Sequence, residues 1–256
     1  MNPLLIYENI TSIDDPAAWV SNQCIGPHRT LHNVVPSGLE NYVRICQPGW
    51  LWEGVARTPE ETMAVDDFED RKRATPVRWC DVAKENDRQM DGQTAWRSIV
   101  PSPMKMSGYD TRRGYGGIAA PYEGEITLEM MEILFDILMR HSGGKQECIC
   151  AFWEGFGTFD HVRGVRRLEG IGQGVHLLFK ASLAAVRDQW ALVLKHVSER
   201  SGLTPQAMWP TTRDWYYTIP FEMHSSYFGA DPELAAEIRN APGLETYDVF
   251  AGDKIS

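Results

Sequence analysis

Apolar residues recur at helical spacing most clearly between Thr127 and Gly144. Leu128, Met131, Leu134 with Phe135, and Leu138 fall on one face, and Ile133 and Ile137 widen the stripe. Thr127 stands where an N-cap belongs and Gly143-Gly144 supplies a stop, so the pattern predicts a long, largely buried helix. Asp136 and Arg140 are spaced for an ion pair along its surface. A second long helix is predicted over 182–200, with Leu183, Val186, Trp190, Val193, Leu194 and Val197 on one face and Gly202 as the stop. Shorter helices are predicted after Asp15-Pro16, over 77–86, and from Asp231-Pro232 through Asn240. In the first, Asp15 is the N-cap and Pro16 takes the first helical position.

Elsewhere the period shortens to two. Tyr42 to Cys46 alternates and is closed by Pro48. "CICAFWEG" reads as a buried strand, and "GVHLLFK" (174–180) turns Val175, Leu177 and Phe179 inward. In "WPTTRDWYYTIPFEMHSSYFG" (209–229), Trp215, Tyr217, Ile219 and Phe221 share one face. Tyr216, Thr218, Pro220 and Glu222 share the other. Pro220 predicts an edge strand or a bulge, because it cannot donate to a ladder. The less apolar face predicts the wall of a groove. "LETYDVF" reads as a last strand. Two glycine-rich stretches, 101–126 and 154–174, carry no regular pattern and read as long loops.

Strands are not regularly followed by crossover helices. The predicted class is therefore α+β: one domain over 1–256, with a mixed or largely antiparallel sheet packed by two long helices. The 256 residues and 43% hydrophobic content suffice for a sizeable core. Nine Trp enlarge the aromatic share of that core.

Charge changes the picture of partners. The formal net charge of −10 disfavours nucleic acid and anionic membranes and fits a protein partner with a basic surface. "DDFEDRKR" (66–73) reads as a solvated segment. The five Cys form no framework and no C-x-x-C pair, so reduced thiols in a cytoplasmic setting are expected, with no structural zinc. The N-terminus lacks a basic region followed by a long apolar run, and no stretch is apolar enough to span a bilayer.

The chemistry-bearing residues are dispersed. Gly155-Phe156-Gly157 and Gly170-Ile171-Gly172-Gln173-Gly174 do not complete a phosphate-binding fingerprint, although Arg163, Arg166 and Arg167 place positive charge nearby. No G-x-S-x-G elbow is present, and no motif calls for a cofactor. Trp153 and Glu154 end a strand where it enters a loop. Trp209 and Arg213 precede another strand, and Glu222 lies on that strand's more polar face. Loop ends beside strand termini commonly carry sites, so Trp153, Glu154, Trp209, Arg213 and Glu222 are the predicted binding set in one concavity. Arg213 is also suited to stack on a Trp and pair with Asp214. Glu154, Asp160, His161, Glu222 and His224 are the residues a metal-dependent hydrolase would use.

Three stretches, "VPSGLENYVRICQP", "FWEGFG" and "WPTTRDWYYTIPFEMHSSYFG", resemble marks of a family of uncharacterised bacterial, mostly actinobacterial, proteins. The family pattern runs V-P-x-G-F-x-x-Y-x-R-I-x-H-P, then W-E-G-x-G, then W-P-x-D-R-x-W and S-T-Y-x-G. Pro36, Gly38, Tyr42, Arg44, Trp153, Glu154, Trp209, Arg213, Trp215 and Tyr227 match it. Gln47 stands where the pattern has His, Thr212 where it has Asp, and Ile219-Pro220 where it has Thr-Glu. The resemblance implies a grouping and no activity. The leading expectation is a binding or immunity-like accessory protein acting by surface recognition. The alternatives are the hydrolase and a structural subunit of a homo-oligomer.

Overall fold

The computed structural model describes residues 7–10, 16–51, 74–100, 118–156, 164–171, 174–196 and 203–255. Among these, helices are α1 (Pro16–Gln23), α2 (Trp79–Glu85), α3 (Trp96–Ile99), α4 (Leu128–Ser142), α5 (Leu183–His196) and α6 (Pro232–Arg239). Strands are β1 (Glu8–Asn9), β2 (Asn41–Cys46), β3 (Gly49–Leu51), β4 (Thr75–Val77), β5 (Ile118–Ala119) and β6 (Glu147–Trp153) in the first part of the chain. They continue as β7 (Arg166–Ile171), β8 (Gly174–Ser182), β9 (Ala207–Pro210), β10 (Trp215–Thr218), β11 (Ser225–Ala230) and β12 (Glu245–Val249). The main sheet runs β1-β8-β6-β9-β10-β11-β2-β12, with β7 also paired to β8, and a small second sheet runs β4-β3-β5. Every pairing is antiparallel. The class is α+β, as the pattern of elements predicts.

The long helices form for the reasons legible in the sequence. The Thr127 side chain accepts from the Met130 N–H, and Gly143 closes α4 at φ +77, a conformation that costs other residues a Cβ clash. Asp231 caps α6 by accepting from the Leu234 N–H at 2.9 Å. Leu134, Phe135 and Leu138 of α4 and Leu183, Val186 and Trp190 of α5 join the inward residues of the sheet in one core. Asp136 and Arg140 do not form the expected i,i+4 ion pair. Arg140 instead reaches across to Glu237 of α6, which lies alongside.

The other face of the sheet is equally buried. Val20 and Leu31, with Trp19 packed against them, cover Ile149, Trp209, Tyr216 and Tyr227, and Tyr216 stacks on Trp209 at 5.5 Å. This corrects the reading of 215–222. Both faces of β10 are core, because β10 lies centrally between β9 and β11 and α1 covers its second face. The strand stops at Thr218, so Pro220 lies in a turn and not in an edge strand, and Phe221 does not continue the apolar face. Two further strands appear, one of them in a segment expected to be irregular. Arg166–Ile171 pairs with β8 inside the expected 154–174 loop, and Ser225–Ala230 joins β10 to β2. Within 101–126, Ile118–Ala119 pairs with β3, and 101–117 lies outside the described residues, as does 66–73. A third cluster, Trp79, Val82, Trp96 and Ile99 beneath the small sheet, packs against Cys46 and Tyr247.

Candidate functional site

The five predicted site residues fall into two groups. Trp209 is fully buried on β9 opposite Ile149, and Arg213 sits in the exposed turn between β9 and β10 with φ +66. Its guanidinium stands 5.9 Å from the ring centroid of Trp19, so the stacking partner is Trp19 and not Trp209. Trp153, four residues beyond Ile149 and thus about 13 Å along β6, lies at the opposite end of these strands. There it stacks on Phe221 at 4.2 Å and meets Phe156 edge-on at 4.8 Å. A Cβ at Gly174 would lie 2.6 Å from the Trp153 ring, so glycine is what lets the backbone close over the indole. Glu154 is ion-paired with Arg167, and Glu222 is exposed in the β10–β11 turn. Trp153, Glu154 and Glu222 therefore share one end of the sheet. Trp209 and Arg213 do not join them, and the single concavity is not formed.

That end of the sheet is polar inside. Gln47, Thr218, Ser225 and Ser226 are buried there, as are His176, Thr204, Gln206 and Glu245. Arg44, two residues farther in, is fully buried. Its Nε donates to Ser225 Oγ at 2.9 Å and its Nη1 to the carbonyls of Thr94 and Gly92 at 2.7 and 3.2 Å. Glu245 accepts from the N–H groups of Trp79 and Cys80 at 2.7 and 2.8 Å, which ties the start of α2 to β12. Trp79 Nε1 donates to the Gln47 carbonyl at 2.6 Å. These contacts clamp the outer layer to the sheet.

Some polar atoms at this end remain unmatched. Gln47 Oε1, His176 Nδ1 and His224 Nδ1 are buried without a hydrogen-bond partner. Burial pushes both histidines down to about 4. Desolvation is the largest cause in each and outweighs the Gly174 and Pro121 backbones, which favour the protonated forms, and the charge of Arg44 lowers His224 further. His224 Nε2 is 3.9 Å from Glu123. Asp160 and His161 lie outside the described residues. Among the described residues no group of three or more His, Cys, Asp or Glu gathers as a metal would require. No described helix is long and apolar enough to cross a membrane.

A different feature lies on the helical face. Between α4 and α6 runs an open groove of about 530 Å³. Ile133, Ile137, Ala236, Ala241 and Pro242 give it an apolar floor, and Asp136, Arg140, Glu237 and Asn240 form its rim. Glu129, Glu132, Asp136 and Glu233 are exposed on the two helices, with Glu132 paired to Lys195 of α5. Ile137 is core, as its place in the apolar stripe predicts, and half-buried Ile133 packs against that core while also opening onto the groove.

Compared with protein-family models, curated proteins and solved structures, the chain matches none.

Proposed function

We propose that the protein is a recognition protein, immunity-like or accessory in role, that binds a partner with a basic surface. The observation that carries this reading is the acidic helical face: Glu129, Glu132 and Asp136 of α4 and Glu233 of α6 are all exposed, and the chain as a whole carries a formal charge of −10. Lys195 offsets Glu132 at 3.5 Å and Arg140 offsets Glu237, which leaves the remaining acids on these helices in excess. A surface of this kind attracts cationic partners and speeds their encounter, with a strength that salt reduces. The test is fluorescence anisotropy with a labelled decalysine peptide at about 50 and about 300 mM salt, which shortens the screening length more than twofold. Binding that weakens with salt, and weakens further in Asp136→Asn/Glu233→Gln, supports the reading. No binding at low salt contradicts it.

A second reading has its own observation. The unmatched Gln47 Oε1, His176 Nδ1 and His224 Nδ1 at the polar end of the sheet favour a small-molecule site there, and the hydrolase alternative belongs to that end. Grouping with the bacterial family rests on the three motifs quoted above and adds no activity to either reading.

A further inference from the structure

We infer that the groove between α4 and α6 is a docking cleft for a basic amphipathic helix of a partner protein. This inference rests on the acidic-surface reading above and names where and how the partner sits.

The shape argues for a helix. From Ile133 to Arg140 the α4 wall rises about 10 Å, or roughly two helical turns. Ile133, Ala236 and Pro242, over buried Ile137 and Ala241, are the apolar part of the lining, which suits the anchors of one helical face. Both walls are helices whose backbone groups are already bonded internally, so an extended peptide would find no ladder to join. A small polar ligand would find few convergent polar groups, because Asn240 already donates to the Ala236 carbonyl at 2.8 Å.

The charge argues for a basic helix. The rim carries Asp136 and Glu237 against Arg140 alone, and Arg140 is already paired with Glu237. Both partners of that pair are substantially exposed, 61% and 40%, so the bond is weak and exchangeable. A lysine or arginine from an incoming helix takes over Glu237 while its apolar anchors cover Ile133 and Ala236. Arg140 then acts against the partner: it occupies the carboxylate the partner needs and repels the partner's charge.

The experiment uses the full chain and two synthetic peptides of about 18 residues, long enough to form helix on binding. One has leucines at i, i+3, i+4 and i+7 with lysines elsewhere, and the other is its scramble of identical composition. Affinities are measured by anisotropy against wild type, Ala236→Lys, Pro242→Lys and Arg140→Gln. The expected result is that the amphipathic peptide binds at least tenfold tighter than the scramble. Ala236→Lys and Pro242→Lys each reduce that binding by tenfold or more, and Arg140→Gln strengthens it severalfold. Pro242 is exposed, so its variant keeps the test intact if Ala236→Lys fails to fold. Equal, salt-sensitive binding of both peptides, untouched by the groove variants, overturns the cleft while leaving the acidic-surface reading standing. Binding of neither peptide overturns both.

Discussion

The guanidinium of Arg44 lies 4.7 Å from the ring centroid of Trp79, and neither side chain has exposed surface. The pair joins the sheet to the outer layer of α2, α3 and the small second sheet. The cation donates to neutral oxygens of Ser225, Gly92 and Thr94, so its removal leaves buried acceptors without a donor. Arg44→Ala is therefore expected to cost about 3–5 kcal/mol, the range for breaking a buried charged network. Arg44→Lys keeps the charge but loses the planar fork, and is expected to recover only part of that stability. Urea denaturation of both variants measures this. A midpoint unchanged in Arg44→Ala contradicts the clamp.

Leu134→Ala tests the inner layer. Leu134 is fully buried in the core shared by α4, α5 and the sheet. The substitution is expected to destabilise by about 2–5 kcal/mol through lost burial and a residual cavity. A shift within about 0.5 kcal/mol, typical of surface positions, contradicts the packing.

The acid limb of stability follows from the two histidines. His176 and His224 are pushed down to about 4 in the folded protein, below the ordinary value near 6.5. Between those values the unfolded chain binds protons that the folded chain refuses, so stability falls as pH drops from about 6.5 towards about 4 and is level above that window. His176→Gln is expected to flatten the thermal midpoint across this range relative to wild type. An equally steep acid limb in that variant assigns the proton uptake elsewhere.

Thiol reactivity reports the same burial. All five cysteines are free. Burial pushes Cys46 and Cys148 up to about 12, and Cys150 well above its ordinary value. Cys80 is half-buried, and its pKa is raised by desolvation and by the charge of Glu245. Native protein at pH about 7.5 is expected to react slowly with an aromatic disulfide reagent, Cys80 first, and to yield five thiols in denaturant. Three or fewer thiols on denaturation contradict free cysteines.

The legible and illegible parts of this fold separate on physical grounds. The cores of α4 and α5 were readable because their apolar residues repeat at 3.6 and α4 is bounded by Thr127 and Gly143, all local signals. Strand β11 was not, because Ser225, Ser226 and Gly229 lack the β-branched or aromatic bulk that marks a strand. Gly229 is small because a Cβ there would lie 2.6 Å from Leu39. Strand β7 was hidden by Arg166, Arg167 and Glu169, which face solvent on the outer side of β8. The alternation of 215–218 was legible, but not the cover that α1 gives its second face. Trp153 stacks on Phe221, the neighbour of Glu222 in the chain, whereas Trp209 and Arg213 lie towards the other end of the strands. Residue spacing along one strand does not reveal which end of a neighbour it meets. The groove depended on α4 and α6 lying side by side, a contact between segments about 100 residues apart that sheet order alone creates.

The location of binding tests the central claim most directly. In ¹⁵N-labelled protein titrated with the amphipathic lysine–leucine peptide, the largest amide shifts are predicted over 129–140 of α4 and 233–243 at α6. Amides of 153–156 and 222–226 at the polar end of the sheet are predicted to stay in place. Shifts concentrated at the polar end, with α4 and α6 silent, would contradict recognition through the acidic helical face.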